Sequence, residues 1–252
     1  MKIFYLRRRW LAVLAGAAAC AAIFAAAAAP GAMTASASAG QAPIRSVQRD
    51  QKQTAVTFDV AQDDEGEVAE LLELLDGYHV TAAFFVTGEW AQQHPDAVRA
   101  LREAGHEVMG RLDTGVRYTR LTAEEIIADI TDSCDQIEAL TGAAPTLIRC
   151  PDGTYDDHVL AAIRSMGREA VQWDVDSLDG EGASAGEISR QVMEHVEPGS
   201  ILLFHSGGPH TKEALPVVLE QLLREGYEIV PLSQLLLEGD YVVDGSGRQC
   251  PA

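Results

Sequence analysis

From Thr54 onward the apolar positions switch between a period of two and a period of three to four. Thr54-Ala-Val-Thr-Phe-Asp59 reads as a short strand. Glu67 to Leu75 places apolar residues at 68, 71, 72 and 75, the spacing of one helical face. Val80 to Val86 is β-branched and aromatic, a second strand. Pro95 to Ala104 is a helix with Pro in its first turn and Gly105 at its end. Glu107 to Met109 is a short strand, and Thr122-Ala-Glu-Glu125 is a capping box opening a helix that runs to about Leu140. Further on, strands are expected at Thr146–Arg149, Ala170–Val175, Ile201–Phe204 and Glu228–Val230. Helices are expected at Asp156–Met166, Ala185–Val196, Lys212–Glu225 and Ser233–Glu238. Strand and helix alternate throughout, which predicts parallel βα units, because antiparallel hairpins need short turns between strands. A distorted (β/α) barrel of about seven parallel strands and an open doubly wound sheet both fit that order. No glycine-rich phosphate fingerprint follows the first strand, which disfavours the nucleotide-binding version of the open sheet.

The first forty residues break the pattern. Arg7, Arg8 and Arg9 precede an uncharged run from Trp10 to Ala29, and small residues follow around Ala35-Ser36-Ala37. Residues 1–39 therefore read as a signal peptide or an N-terminal membrane anchor, and either one takes the rest of the chain out of the cytosol. Membrane contact is expected only through residues 10–29, if the segment stays uncleaved. Residues 40–52 read as a polar linker and 53–238 as one domain. Residues 239–252, with Gly245, Gly247 and Pro251, read as a loosely held tail.

Charge narrows the partners. The chain carries 19 Lys and Arg against 38 Asp and Glu. Residues 1–39 hold four of those bases and no acid, so the remainder is more acidic still. Such a surface repels phosphate backbones and excludes nucleic acid as a partner class, while neutral sugars remain open. A monomer is expected. Cys134, Cys150 and Cys250 remain beyond the leader; a Cys134–Cys150 bridge and three free thiols are equally compatible with the sequence.

Chemistry-bearing residues collect where strands end, the working rim of a βα fold. Asp59, Arg149, Asp176, Asp179 and His205 each follow an apolar run closely. On one rim, an Arg would hold one carboxylate ionised, and another carboxylate would keep His205 protonated as an acid.

These strand ends resemble the polysaccharide deacetylase family, carbohydrate esterase family four, over roughly residues 50 to 236. The likeness is closest to the branch found in sporulating bacteria. Thr57-Phe58-Asp59-Val60 stands where the family has Thr-Phe-Asp-Asp. Thr81-Ala-Ala-Phe-Phe-Val86 with Trp90, His94 and Pro95 is similar to its second strand and helix. Gly105-His106-Glu107-Val108 leads to its His-x-x-x-His position, and Arg149-Cys150-Pro151-Asp152-Gly153 resembles Arg-Pro-Pro-x-Gly. Asp176-Ser177-Leu178-Asp179 and Leu203-Phe204-His205 resemble Asp-x-x-Asp-Trp and Leu-x-His. The resemblance implies a distorted (β/α) barrel and hydrolysis of an N-acetyl group on cell-wall glycan, peptidoglycan or chitin-like, with a divalent metal, usually zinc. It assigns Asp59 as base, His205 as acid and Arg149 as the residue holding the base. Asp176 or Asp179 tunes His205. Pro151 and Gly153 form the groove floor, and Tyr155 lines it.

The departures are as specific as the matches. The family's metal triad of one Asp and two His falls on Val60, Arg111 and Gly115, and its groove Trp on Gly180. Val and Gly offer no donor side chain, and a guanidinium stays protonated. Arg111 can supply the metal's positive charge beside Asp59 and face the substrate, but it cannot activate a water as zinc does. Asp63, Asp64, Glu65 and Asp113 could build an oxygen-only site for calcium or magnesium, or simply be a solvated loop. Two functions stay open: an exported amide hydrolase with altered metal use, and a non-catalytic relative that binds wall glycan or a wall partner. An unrelated glycosidase pairing Asp59 with Asp176 or Asp179 is a third reading.

Overall fold

The structure, a computed structural model, describes residues 42–60, 65–113 and 115–252. Its main sheet is all parallel. The strands are β2 (Gln53–Asp59), β3 (Ala83–Val86), β4 (Glu107–Arg111), β5 (Leu147–Arg149), β6 (Glu169–Ala170), β7 (Val175–Asp176) and β8 (Ile201–His205), in spatial order β6-β5-β4-β3-β2-β8-β7. A further strand, β9 (Glu228–Ile229), pairs with the start of β2 at Gln53 and Thr54. The helices between them are α1 (Glu65–Tyr78), α2 (Gly88–Gln93), α3 (Pro95–Glu103), α4 (Ala123–Thr141), α5 (Asp157–Ser165), α6 (Ala185–His195), α7 (Thr211–Arg224) and the short α8 (Leu232–Leu235).

The topology forces the sheet to curl. β6 and β7 are its two ends, yet only residues 171–174 connect them. Five chain steps reach at most about 18 Å, whereas seven strands laid flat would span about 29 Å. The ends must therefore approach each other, which makes this a distorted (β/α) barrel. Ile44 fills the seam: its N–H donates to Ala170 O (2.8 Å) and its carbonyl accepts from Gln172 N (2.7 Å). The continuous strand expected at Ala170–Val175 is thus two short strands on opposite edges. Apolar alternation persists through the crossing and hides the break.

The two faces of the strands have different partners. Val56, Phe58, Val60, Phe84, Val86, Leu202 and Phe204 pack outward with α1, α3, α6 and α7. The Phe58 and Phe84 rings stack at 5.0 Å. The alternate residues, Ala55, Ala83, Phe85, Leu147 and Ile201, join Ile44 and Val171 in a separate core. Strand period two then puts Asp59, Arg149 and His205 on that same inner face, at its carboxyl end.

One helix escaped the sequence reading. α2 is only six residues long, too short for its period to register. It is started by Thr87, whose Oγ1 accepts from Trp90 N at 3.1 Å. The stretches read as linker and tail carry strands: β1 (Ser46–Val47), β10 (Tyr241–Val243) and β11 (Arg248–Pro251) form a three-stranded sheet in order β1-β11-β10. Gln249 is buried there and bonds both the N–H and the carbonyl of Leu237. Deleting residues 239–252 removes buried Tyr241 and Gln249 and uncovers Val47. The deletion is expected to lower the unfolding free energy by about 2 kcal/mol or more. Denaturant titration checks this, and an unchanged midpoint would mean that the tail is dispensable. Cys134 and Cys150 are buried free thiols in the core under α4 and α5, and Cys250 is a half-buried one. Burial pushes the Cys150 thiol up to about 12, which makes it inert.

Candidate functional site

Strand register assembles the site. Asp59 on β2 lies level with Phe85 on β3 and His205 on β8. Arg111 at the end of β4 lies level with Arg149 at the end of β5. Both arginines reach the Asp59 carboxylate: Arg149 Nη1 donates to Oδ1 at 2.9 Å and Arg111 Nε to Oδ2 at 3.0 Å. The Asp59 and Arg111 side chains are 4% and 11% exposed, and that of Arg149 is not exposed at all.

Arg149 is held on every side. Nη2 donates to Thr57 Oγ1 (3.0 Å) and to the Gln172 carbonyl (3.3 Å), and Nε to the Val171 carbonyl (3.4 Å). Its guanidinium carbon lies 3.7 Å from the Phe85 ring centroid and 5.5 Å from that of Trp173. Burial pulls its pKa down and the Asp59 charge pushes it back; a guanidinium stays charged under such shifts. Thr57, Phe85 and Trp173 were not picked out from the sequence as parts of the site. Thr57, inside the Thr-Phe-Asp motif, and Phe85, inside Thr81-Ala-Ala-Phe-Phe-Val86, carried a signal that could have been read.

A second unit lies across β8. His205 Nδ1 and Asp179 Oδ1 are 2.8 Å apart, and the His205 backbone N–H donates to Asp179 Oδ2 at 2.8 Å. Thr211 Oγ1 donates to Oδ2 at 2.5 Å and Gly180 N to Oδ1 at 2.7 Å. Asp179 is fully buried, while the His205 side chain keeps 33% exposure, so its Nε2 edge faces outward. Burial alone would lower the His205 pKa. The Asp179 hydrogen bond, with the charges of Asp179, Asp59 and Asp176, outweighs burial and leaves it above the usual histidine value. Burial alone would raise the Asp179 pKa, and its hydrogen bonds from His205 and Thr211 leave it lowered. Of the two aspartates left open by the sequence, Asp179 faces His205. Asp176 accepts from Leu178 N at 2.9 Å and shapes its own loop.

Gly180 and Gly208 make room for this unit. A Cβ on Gly180 would stand 2.8 Å from His205 Nδ1, and one on Gly208 would stand 2.2 Å from Thr211 Oγ1. An open cleft of about 360 Å3 between the turn after β7 and α6 is lined by Leu178, Glu181, Gly182 and Arg190 among others, and by neither Asp179 nor His205. Pro151 and Gly153 form the turn directly after β5, where Asp152 and Gly153 take left-handed backbone (φ 52° and 67°). Tyr155 packs against the core of α4 and α5, and no contact among the described residues joins it to Asp59. His106 is buried and its Nδ1 accepts from Ala82 N at 3.1 Å; burial pulls its pKa down, so it is a neutral structural acceptor.

The three residues that the resemblance sets at the metal positions do not fit zinc. Val60 is buried among apolar side chains, Arg111 is ion-paired to Asp59, and Gly115 has no side chain. Among the described residues no group of three or more His, Cys, Asp or Glu side chains is placed to hold a metal ion. Asp113 Oδ1 accepts from Gly115 N at 2.6 Å. Asp63 and Asp64, and the Glu65 side chain, lie outside the described residues, as does the apolar run at 10–29. No helix among the described residues is long and apolar enough to cross a membrane.

A curled parallel sheet with an Asp–Arg pair and an Asp–His pair at the carboxyl rim defines a scaffold of the (β/α)-barrel class with paired acid–base groups. Comparison with known proteins makes that specific: residues 46–171 match the polysaccharide deacetylase family, and the chain belongs to it. It is 30% identical over 190 residues to the peptidoglycan-N-acetylmuramic acid deacetylase PdaC of Bacillus subtilis. That match covers 75% of this chain but only 40% of the longer PdaC. It is also 30% identical to a chitooligosaccharide deacetylase of a Bradyrhizobium strain, covering 66% of this chain and 83% of that protein. Among solved structures, a mutant of BA3943 superposes with a TM-score of 0.74 at 26% identity, over 80% of this chain and 74% of that one. BA3943, from Bacillus anthracis, is described as a pseudoenzyme of carbohydrate esterase family four, and that mutant as having restored enzymatic activity.

Proposed function

We propose that this chain is exported, faces the cell wall as a monomer, and binds N-acetylated wall glycan at the barrel rim without hydrolysing it. The observation that carries this reading is the Asp59 carboxylate, with one guanidinium on each oxygen. In the family's mechanism the corresponding Asp takes a proton from water. Here both oxygens of that carboxylate already accept from a guanidinium, Arg111 as well as Arg149. Nor do the residues at the metal positions fit an ion that could acidify the water. The basic head and apolar run at the N-terminus support export.

The intact His205–Asp179 unit favours a second reading, metal-free hydrolysis in which Arg111 polarises the carbonyl and His205 protonates the departing amine. One experiment decides between them. The full chain is incubated with N-acetylated peptidoglycan and with chitin oligomers, with zinc, with calcium and with chelator. Retention on the polymer and release of free amine are both measured, beside His205→Gln. Retention without release is the expected result. Amine release that His205→Gln abolishes would establish the hydrolase instead.

A further inference from the structure

Resting on that glycan-binding reading, we propose that the rim recognises a carboxylate on the glycan, through Arg111 and His205, so that the ligand is an acidic sugar rather than a neutral one. Arg111 spends only Nε on Asp59; its two terminal nitrogens have no hydrogen-bond partner among the described residues. His205 spends Nδ1 on Asp179, and its Nε2 likewise has no partner among the described residues. Both side chains flank Asp59, because His205 is its register partner on β8 and Arg111 bonds its Oδ2.

The uncommitted donors select the ligand. Two guanidiniums meet one carboxylate at Asp59, which leaves one positive charge in excess, in a chain whose net charge is −19. Asp179 balances a protonated His205. Asp176 and Asp113 keep their charge while holding Leu178 N and Gly115 N, and the Asp176 charge bears on His205. A neutral N-acetyl group offers a single carbonyl oxygen to the two terminal nitrogens of Arg111. A planar carboxylate can accept two parallel N–H bonds from a guanidinium, with the imidazole edge as a third donor. The donor set that does not fit zinc fits an anion of this shape.

The probe is the disaccharide of N-acetylglucosamine and N-acetylmuramic acid, whose lactyl ether carries a carboxylate. Its methyl ester and the neutral chitin disaccharide are the controls, with glycerol phosphate as a rival anion. Calorimetry on the full chain is expected to show the free acid binding at least tenfold tighter than the ester. Arg111→Gln is expected to erase that preference for acid over ester, and Arg111→Lys to retain part of it. Arg149 still pairs Asp59 in both variants, so folding is retained and is checked by circular dichroism. Equal affinity for acid and ester would overturn the carboxylate inference and leave glycan binding standing. Tighter binding of glycerol phosphate than of the acid would overturn it in favour of a phosphate ligand. If no saccharide binds the folded protein, both this inference and the glycan-binding reading fail.

Discussion

Arg149→Met is expected to lower the unfolding free energy by about 3–5 kcal/mol, the cost of stranding one partner of a buried ion pair. Met fills most of the volume, so the loss isolates the charge. Asp59 would stay buried with only Arg111 on one oxygen, and Thr57 Oγ1 and the carbonyls of Val171 and Gln172 would lose a donor. Those carbonyls belong to the crossing that joins the two ends of the sheet, so the damage falls where the barrel closes. Urea or guanidinium titration measures it. The double variant Asp59→Asn/Arg149→Met should be less destabilised than the sum of the singles, since no unpaired charge remains. A loss below about 1 kcal/mol for Arg149→Met would show that the pair is solvated in solution and does not organise the rim.

Asp179→Asn is expected to lower the His205 pKa and to cost roughly 1–3 kcal/mol through lost charge-assisted hydrogen bonds. His205 sits above its ordinary value of 6.5 because of Asp179. Its contribution to stability is therefore fully present below 6.5 and fades as pH rises through the raised folded value. Asp179 sits below its ordinary 3.8. Its contribution is present above 3.8 and is lost as pH falls through the lowered folded value. The pair thus stabilises most in the window above 3.8 and below 6.5. The stability gap between wild type and Asp179→Asn should be widest there and should narrow on the alkaline side. Because His205 is a third exposed, solvent screening trims the gap. Proton NMR of the His205 ring and denaturant titrations at several pH values read both quantities. A ring that titrates identically in wild type and variant would remove Asp179 from its role.

Much of this site was legible in the chain. A motif of strand followed at once by Asp, Arg or His is a local pattern, and parallel topology sends all such ends to one rim. Asp59, Arg149 and His205 could therefore be named together. That Val60, Arg111 and Gly115 carry no zinc donor was equally visible, since that is a property of the residue type. The choice between Asp176 and Asp179 was not legible. Three residues apart in one loop, they differ only in where the left-handed turn at Leu178 points each carboxylate. The split of Ala170–Val175 was hidden because an apolar run reads the same whether it crosses a seam or pairs along its length. The tail misled for the opposite reason: glycines and polar residues mark turns, yet β10 and β11 are tied down by a strand two hundred residues away in sequence.

By itself the sequence determined the class of fold, the strand and helix order, the acidic surface and the inventory of groups at the rim. These follow from periodicity, composition and the chemistry of single residues, which are local properties. Only the tertiary structure decided how those groups are used. It put Arg111 on the second oxygen of Asp59, gave His205 to Asp179, and left the outer edges of Arg111 and His205 without partners among the described residues. Each of those outcomes depends on register between strands, and on distances of about 3 Å between residues 26 to 90 positions apart. Local patterning carries no information at that precision, because a side chain spends its charge on whatever packing brings beside it.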